Sequence, residues 1–152
     1  MKDTRTARAS RTALTSLALA GLIAGFALHS PPVRAGALAE CQTGNRDFEA
    51  VARCLTALDL ETLAALQDAE KRAAAAAREL DEKTKRGNAA YAAFMQSTRA
   101  FALFQGAECE YVHAMTPGSN VRSKTAGPSP ADLARIACRI ELARGRIEML
   151  KP

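Results

Sequence analysis

Two long segments with a helical repeat of apolar residues lie on either side of Gly87-Asn88, and they constrain the fold more than any other feature. The first opens at Asp59, a good N-cap residue, and covers about 59–86; the second covers about 89–115. Glycine favours the left-handed conformation that ends helices, and asparagine favours the cap that starts them. The two helices, each about 40 Å long, are therefore predicted to form an antiparallel hairpin. The alternative, one helix running through Gly87, costs about 1 kcal/mol relative to alanine and stays open.

Apolar residues within the hairpin predict which faces are buried. On the first helix the predicted stripe is Leu60, Leu63, Leu66, Ala69 or Ala73, Ala76 or Ala77, and Leu80. The second helix carries three large apolar residues just before a cysteine, in the stretch from Thr98 to Cys109. We expect the core and a disulfide to meet in that stretch. The residues that follow a helical period on this helix are Tyr91, Phe94 or Met95, Thr98, Phe101 or Ala102, Gln105, Cys109 and Val112.

Two shorter helices are predicted outside the hairpin. One covers 48–58, is capped by Asn45 or Asp47, and follows an irregular segment over 35–45. The other begins near Ser129-Pro130, with serine as N-cap and proline in the first turn. Its apolar stripe is Leu133, Ile136, Ala137, Ile140, Ala143, Ile147 and Leu150. With 152 residues, no tryptophan and few aromatics, the fold class is all-α: a small helical bundle built on a long antiparallel helical hairpin, with two disulfides.

The N-terminus has the order of a secretory signal peptide. Four basic residues precede an uncharged run over 13–28, and small residues suit cleavage near Ala35 or Ala37. We therefore assign 1–35 to a signal peptide and 36–152 to one helical domain, periplasmic or secreted. An uncleaved anchor is the alternative, and the run is short for a membrane span. A lipoprotein is disfavoured because charged Glu40 directly precedes Cys41.

Charge and cysteine content narrow the function. Residues 1–35 hold five of the 21 lysines and arginines and one of the 16 acids, which leaves the rest at net +1. That value does not favour nucleic acid binding, and no membrane association is expected after cleavage. An even count of cysteines in an exported chain predicts two disulfides. We expect Cys41–Cys54 and Cys109–Cys138, while Cys41–Cys138 with Cys54–Cys109 stays open.

Residues 36–152 contain few side chains or motifs that suit catalysis. His113 is the one histidine there, and no zinc-binding H-E-x-x-H, phosphate-binding glycine loop or G-x-S-x-G motif is present. Glu108 and Glu110 are two residues apart on a helix, so their side chains point in different directions. We expect no enzyme, no cofactor and no metal. His113 is predicted to lie at the C-terminal end of its helix, where a cation interacts favourably with the dipole.

The stretch R-A-F-A-L-F-Q-G-A-E-C resembles the motif of the lysozyme inhibitor LprI-like N-terminal domain family. The matching residues are Arg99, Phe101, Phe104, Glu108 and Cys109, followed by Leu142 and Arg146 in the run from Cys138 to Leu150. Phe101 stands where the family has tryptophan, and Gln105-Gly106 where it has Arg-Asp. The resemblance implies a small helical, disulfide-bonded envelope protein and covers about 41–150.

The resemblance also implies a function, the inhibition of lysozyme-type muramidases by an exported binding protein. The alternative is a structural or adaptor module of the envelope with another protein partner. Long irregular segments on a rigid scaffold are often functional, so the surface is expected around 116–130, although a disordered connector is equally open. Candidate partner-binding residues are Glu110, His113, Ser119, Asn120, Arg122 and Lys124.

Overall fold

The computed structural model describes residues 36–45, 47–85, 87–119 and 127–152, and in these residues it contains four helices and no strand. The helices are α1 (Ala37–Gln42), α2 (Phe48–Thr84), α3 (Ala89–Met115) and α4 (Pro130–Met149). α2 and α3 form the predicted antiparallel hairpin, α4 packs against both, and α1 packs against α2 and α4. The all-α bundle is confirmed. The predicted signal peptide lies outside the described residues, and none of the helices described is long and apolar enough to cross a membrane.

α2 is one continuous helix of 37 residues, so the prediction of two helices meeting at Asp59 is wrong. The helix starts at Asp47, whose side chain accepts a 2.6 Å hydrogen bond from the Ala50 N–H. Asp59 lies in the middle of the helix, where it forms an ion pair with Arg139 of α4. Its carboxylate is therefore used between helices and does not compete for the backbone of its own helix.

This continuity sets which side of α2 faces inward. Val51 and Leu55 are buried near its start, and steps of three and four residues from Leu55 lead to Thr62, Leu66 and Ala69, which are also buried. The predicted stripe is correct at Leu66 and Ala69 but is displaced elsewhere. Three of its members are largely exposed: Leu60 at 64%, Leu63 at 48% and Leu80 at 52%.

The turn of the hairpin is held by a carboxylate from α2. Asp81 is buried, and its two oxygens accept hydrogen bonds of 2.9 Å from the backbone N–H groups of Ala90 and Tyr91. These N–H groups lie in the first turn of α3, where the helix itself supplies no carbonyl to accept their hydrogen bonds. Asn88, the predicted N-cap, makes no side-chain cap bond. The left-handed residue that ends α2 is Lys85, at φ 53°. Gly87, the predicted cap, is also left-handed, at φ 64°, but lies two residues beyond it.

The core lies between α1, α2 and α4. Its buried members are Ala37, Cys41, Val51, Ala52, Leu55, Leu133, Ala137 and Ile140. Residues 37–42, predicted to be irregular, form α1 and contribute two of them. The stripe and the N-cap predicted for α4 are confirmed, and Ser129 and Asp132 form a reciprocal capping box.

α3 contributes less to the core than its composition predicts. Cys109 is its one buried residue, whereas Leu103 is 77% exposed and Phe104 is 53% exposed. Five residues separate Phe104 from Cys109, which places them about 140° apart around the helix. They cannot both face inward. The predicted helical period includes Cys109 and leaves out Leu103 and Phe104, in agreement with their exposure.

A polar seam joins the three long helices about midway along α4. Arg139 pairs with Asp59 of α2, and its backbone carbonyl accepts a 3.0 Å hydrogen bond from the Gln105 side chain of α3. α2 and α4 run in the same direction, and α3 runs against both. The start of α2, the end of α3 and the start of α4 therefore lie at one end of the bundle, and the hairpin turn lies at the other.

Candidate functional site

Two disulfides fix the end of the bundle from which the 116–129 connection leaves. Cys109 and Cys138 are bonded at 2.05 Å with Cα atoms 5.5 Å apart, which ties α3 to α4. Cys41 and Cys54 are bonded at 1.99 Å and tie α1 to α2. Both predicted pairings are confirmed. The Cys109–Cys138 bond holds both flanks of the 116–129 connection, and the Cys41–Cys54 bond holds α1 against the first part of α2.

A cluster of charged side chains lies just beyond the Cys109–Cys138 bond. Arg135 of α4 donates to Glu110 of α3 at 3.0 Å and to Asp132 at 3.2 Å. Nε2 of His113 lies 3.6 Å from Asp132 Oδ1. The cluster thus brings together two of the predicted partner-binding residues, Glu110 and His113, with two residues that sequence reasoning did not single out for this role.

Asp132 is the electrostatic centre of this cluster. Hydrogen bonds from the backbone N–H and the hydroxyl of Ser129 lower the pKa of the Asp132 carboxyl from its ordinary value of 3.8, and Arg135 and His113 add to the effect. The charged form is favoured because every one of these neighbours is a hydrogen-bond donor or a cation. Asp132 therefore carries its negative charge well into the acid range.

The arrangement of Ser129, Asp132 and His113 serves a structural purpose. A nucleophilic serine would donate its hydroxyl to a histidine that is oriented by a carboxylate. Here the hydroxyl of Ser129 donates to Asp132 at 2.7 Å, and its oxygen accepts the Asp132 N–H at 3.2 Å. These are the contacts of a helix cap, and the hydroxyl is not directed at the imidazole.

An apolar groove opens at the same end of the molecule. Phe48, the first residue of α2, is 44% exposed and forms part of its wall. The groove reaches α4 through Pro130 and Leu133, one turn from the charged cluster. It is lined by Leu38, Gln42, Asn45, Asp47, Phe48, Val51, Pro130 and Leu133. We name the groove and the cluster together the loop-end surface.

The remaining candidate partner-binding residues divide into two groups. Ser119 lies just after α3, and its hydroxyl donates to the Ala114 carbonyl at 3.3 Å, next to Gly118 in a left-handed conformation. Asn120, Arg122 and Lys124 lie outside the described residues. The structure thus places Glu110, His113 and Ser119 at the loop end, and their role in binding stays a prediction.

The residues that carry the family resemblance separate onto two sides of α3. Arg146 of α4 lies over the Phe101 ring, with its guanidinium carbon 5.5 Å from the ring centre, and donates to Ser97 at 3.0 Å. Cys109 is buried and Leu142 is partly buried, so these residues hold α3 and α4 together. The others, Arg99, Phe104 and Glu108, are exposed.

Glu110 and His113 are the two residues of the loop-end surface that were predicted from the sequence for binding, and Arg135, Asp132 and Phe48 are among those missed. Arg135 and Asp132 are three residues apart on α4, a spacing that predicts an ion pair but not its contact with Glu110. The helical spacing of Phe48, Val51, Cys54 or Leu55, and Leu58 predicts that Phe48 belongs to the buried face, whereas its side chain is 44% exposed. A signal was available for it: Phe48 directly follows the N-cap, and first-turn residues at the end of a helix are often incompletely covered.

The chain was compared with models of known protein families, with curated proteins and with solved structures, and nothing matches.

Proposed function

We propose that this chain is an exported protein of the cell envelope that acts by binding another protein through the loop-end surface. Two disulfides suit an oxidising compartment outside the cytoplasm, in agreement with the predicted signal peptide. The observation that carries the proposal is the exposed ring of Phe48 beside an apolar groove, within one helical turn of a charged cluster. An aromatic anchor with a polar rim is the usual composition of a protein-binding surface.

Rigidity supports the same proposal. The Cys109–Cys138 bond and the capping box of α4 hold the flanks of the 116–129 connection before any partner arrives. A surface that is already ordered loses less conformational entropy on binding, so more of its contact energy appears as affinity.

A lysozyme-type muramidase is the partner we propose, on the strength of the family resemblance. Many lysozymes are basic, and a net charge of +1 in 36–152 offers no general attraction to them. The loop-end surface presents both signs of charge together with apolar area. We therefore expect binding that rests on the apolar groove and weakens little between low and moderate salt.

A lysozyme activity assay, paired with a binding measurement, tests this proposal. The native chain should bind lysozyme and slow its action on cell walls. Phe48→Glu should weaken binding roughly tenfold or more, because it places a charge in the groove. A glutamate in the first turn suits the helix dipole, so α2 should still form. Leu80→Glu, at a side chain of similar exposure near the hairpin turn, is the matched control and should bind as the native chain does.

Each outcome decides between the candidate functions. If the native chain neither binds nor slows lysozyme, the inhibitor proposal is wrong, and the adaptor with another protein partner is the function to pursue. If lysozyme binds the native chain and both variants equally, the partner is correct but the loop-end surface is not the contact.

A further inference from the structure

The outer face of α3 carries an exposed heptad repeat, and its one hydrogen bond to the bundle, in the residues that the structure describes, is the bond from Arg146 of α4 to Ser97. Alanine recurs every seven residues, and a second series follows four residues after each alanine. The repeat consists of Ala93, Ala100, Ala107 and Ala114 in the first series and Ser97, Phe104 and Tyr111 in the second. All seven residues are exposed. We name this face the α3 stripe.

The stripe lies on the side of α3 away from the bundle. Tyr111 and Cys109 are two residues apart, so they point about 160° from each other around the helix. Cys109 is 2% exposed and bonded to α4, whereas Tyr111 is 60% exposed. Leu103 and Met115 border the stripe and are 77% and 65% exposed. A helix with one apolar face in the bundle and a second in solvent lacks a partner.

The side chains of the two series differ in size, and that difference favours an antiparallel pair of helices over a parallel pair. In an antiparallel pair of helices the two series meet each other, so Phe104 would lie over Ala107 of the second helix and Tyr111 over Ala100. The layers of Phe104 and Tyr111 each join a large side chain to a small one, and the remaining layer joins Ser97 to Ala114, which are both small. In a parallel pair each residue would meet its own copy, so aromatic side chains would face aromatic ones and alanines would face alanines. The two helices would then need a wide spacing at one layer and a narrow spacing at the next, which rigid helices cannot provide.

We propose that the α3 stripe binds the same face of a second copy of this chain, as an antiparallel pair about a twofold axis. The occupant is a second copy because the stripe complements itself: each large residue of one helix meets a small residue of the other. Isologous contacts of this kind are what a twofold dimer requires.

The exposed area sets the expected strength of this dimer. Leu103, Phe104, Tyr111 and Met115 together expose on the order of 500 Å², taking about 200 Å² for each side chain. Two copies would bury about 1,000 Å² through these side chains, near the lower end of specific interfaces. The expected state is therefore a monomer–dimer equilibrium that shifts with concentration and not a permanent dimer.

Sedimentation equilibrium of the native chain and three variants tests the proposal. Phe104→Ala places two small residues opposite each other and leaves a gap in the layer, whereas Ala107→Phe places two large residues opposite each other and makes them clash. Each variant should therefore weaken self-association about tenfold. The double variant Phe104→Ala with Ala107→Phe again joins large to small, and it should return to within about threefold of the native chain. Both positions are exposed, so the helical circular dichroism spectrum should be the same for every variant.

The control is Ala76→Phe, which adds the same ring to an exposed position of α2 and should leave the equilibrium unchanged. A native chain that stays monomeric from micromolar to millimolar concentration would overturn the proposal. So would an Ala107→Phe variant that associates more tightly, because that result indicates non-specific apolar attraction or a parallel pair. The measurement uses no lysozyme, so its outcome is independent of the proposed function.

Discussion

Asp132 joins three functions of the loop end in one side chain. Its carboxylate completes the capping box of α4 by accepting a hydrogen bond from the backbone N–H of Ser129. It also forms an ion pair with Arg135, and it faces His113. Its carboxyl has a lowered pKa in the folded chain, so its charged form stabilises the fold at pH values above its ordinary 3.8. As the pH falls from 3.8 through the folded pKa, the carboxylate takes up a proton and that stabilisation is lost.

Asp132→Asn should therefore lower the free energy of unfolding by roughly 1 kcal/mol at neutral pH. The deficit should shrink as the pH falls below 3.8, because the native residue then becomes neutral as well. Urea denaturation followed at several pH values measures it. Glu79→Gln is the control: its carboxyl pKa is also lowered, by Lys83, but the side chain is exposed, and we expect almost no change in stability. A deficit that stays constant into the acid range would contradict the assignment.

Caps at this scale are predictable when both partners are close in the sequence. Ser129 was predicted as the N-cap of α4 and is confirmed, and its partner in the capping box, Asp132, lies only three residues further along the chain. Asp81 reaches nine and ten residues along the chain to the N–H groups of α3. Asp81 lies in a run of mixed charges over 70–86, which predicts a solvated face, and the burial of this residue follows only from the folded turn.

At the scale of elements, the continuity of α2 can be tested with proline. If a helix started at Asp59, Leu60 would occupy its first position, where proline is well tolerated. In one continuous helix, Leu60→Pro removes a backbone hydrogen bond and clashes with the preceding turn. Leu60 is 64% exposed, so little packing is lost with its side chain. We expect the variant to lose about 3 kcal/mol of unfolding free energy in chemical denaturation.

Leu60→Ala is the matched control and should be nearly neutral, because alanine is the best helix former. A Leu60→Pro chain as stable as this control would show that the helix is broken at Asp59.

Periodicity predicted which segments are helical but not always which face is buried. On α4 the two agree, because its apolar stripe is narrow and is flanked by polar residues. α2 has leucines on several sides, and its inward face follows from Val51 and Leu55, eight and four residues before the predicted start. α3 is apolar on two sides, and the period predicted from Tyr91 to Val112 follows the side that meets the bundle, while the second apolar side stays exposed.

At the scale of the whole molecule, cross-links between distant segments decide where the function can lie. The pairing of the four cysteines was predicted correctly, yet their spacing also allowed another. The ion pair of Glu110 with Arg135 and the groove between Phe48 and Pro130 depend on how α4 packs, and no local pattern encodes that. The end of the bundle that carries the candidate surface was predicted, whereas most of its lining was not.

Hydrogen–deuterium exchange of the native chain, alone and with saturating lysozyme, shows whether lysozyme binds at the loop-end surface. We expect slower exchange with lysozyme in peptides that cover 43–48 and 113–119, which flank the groove and the charged cluster. Peptides at the hairpin turn, around 85–88, should exchange at the same rate with and without lysozyme. Protection confined to the hairpin turn, or exchange that lysozyme leaves unchanged in every peptide, would contradict a loop-end surface that binds this partner.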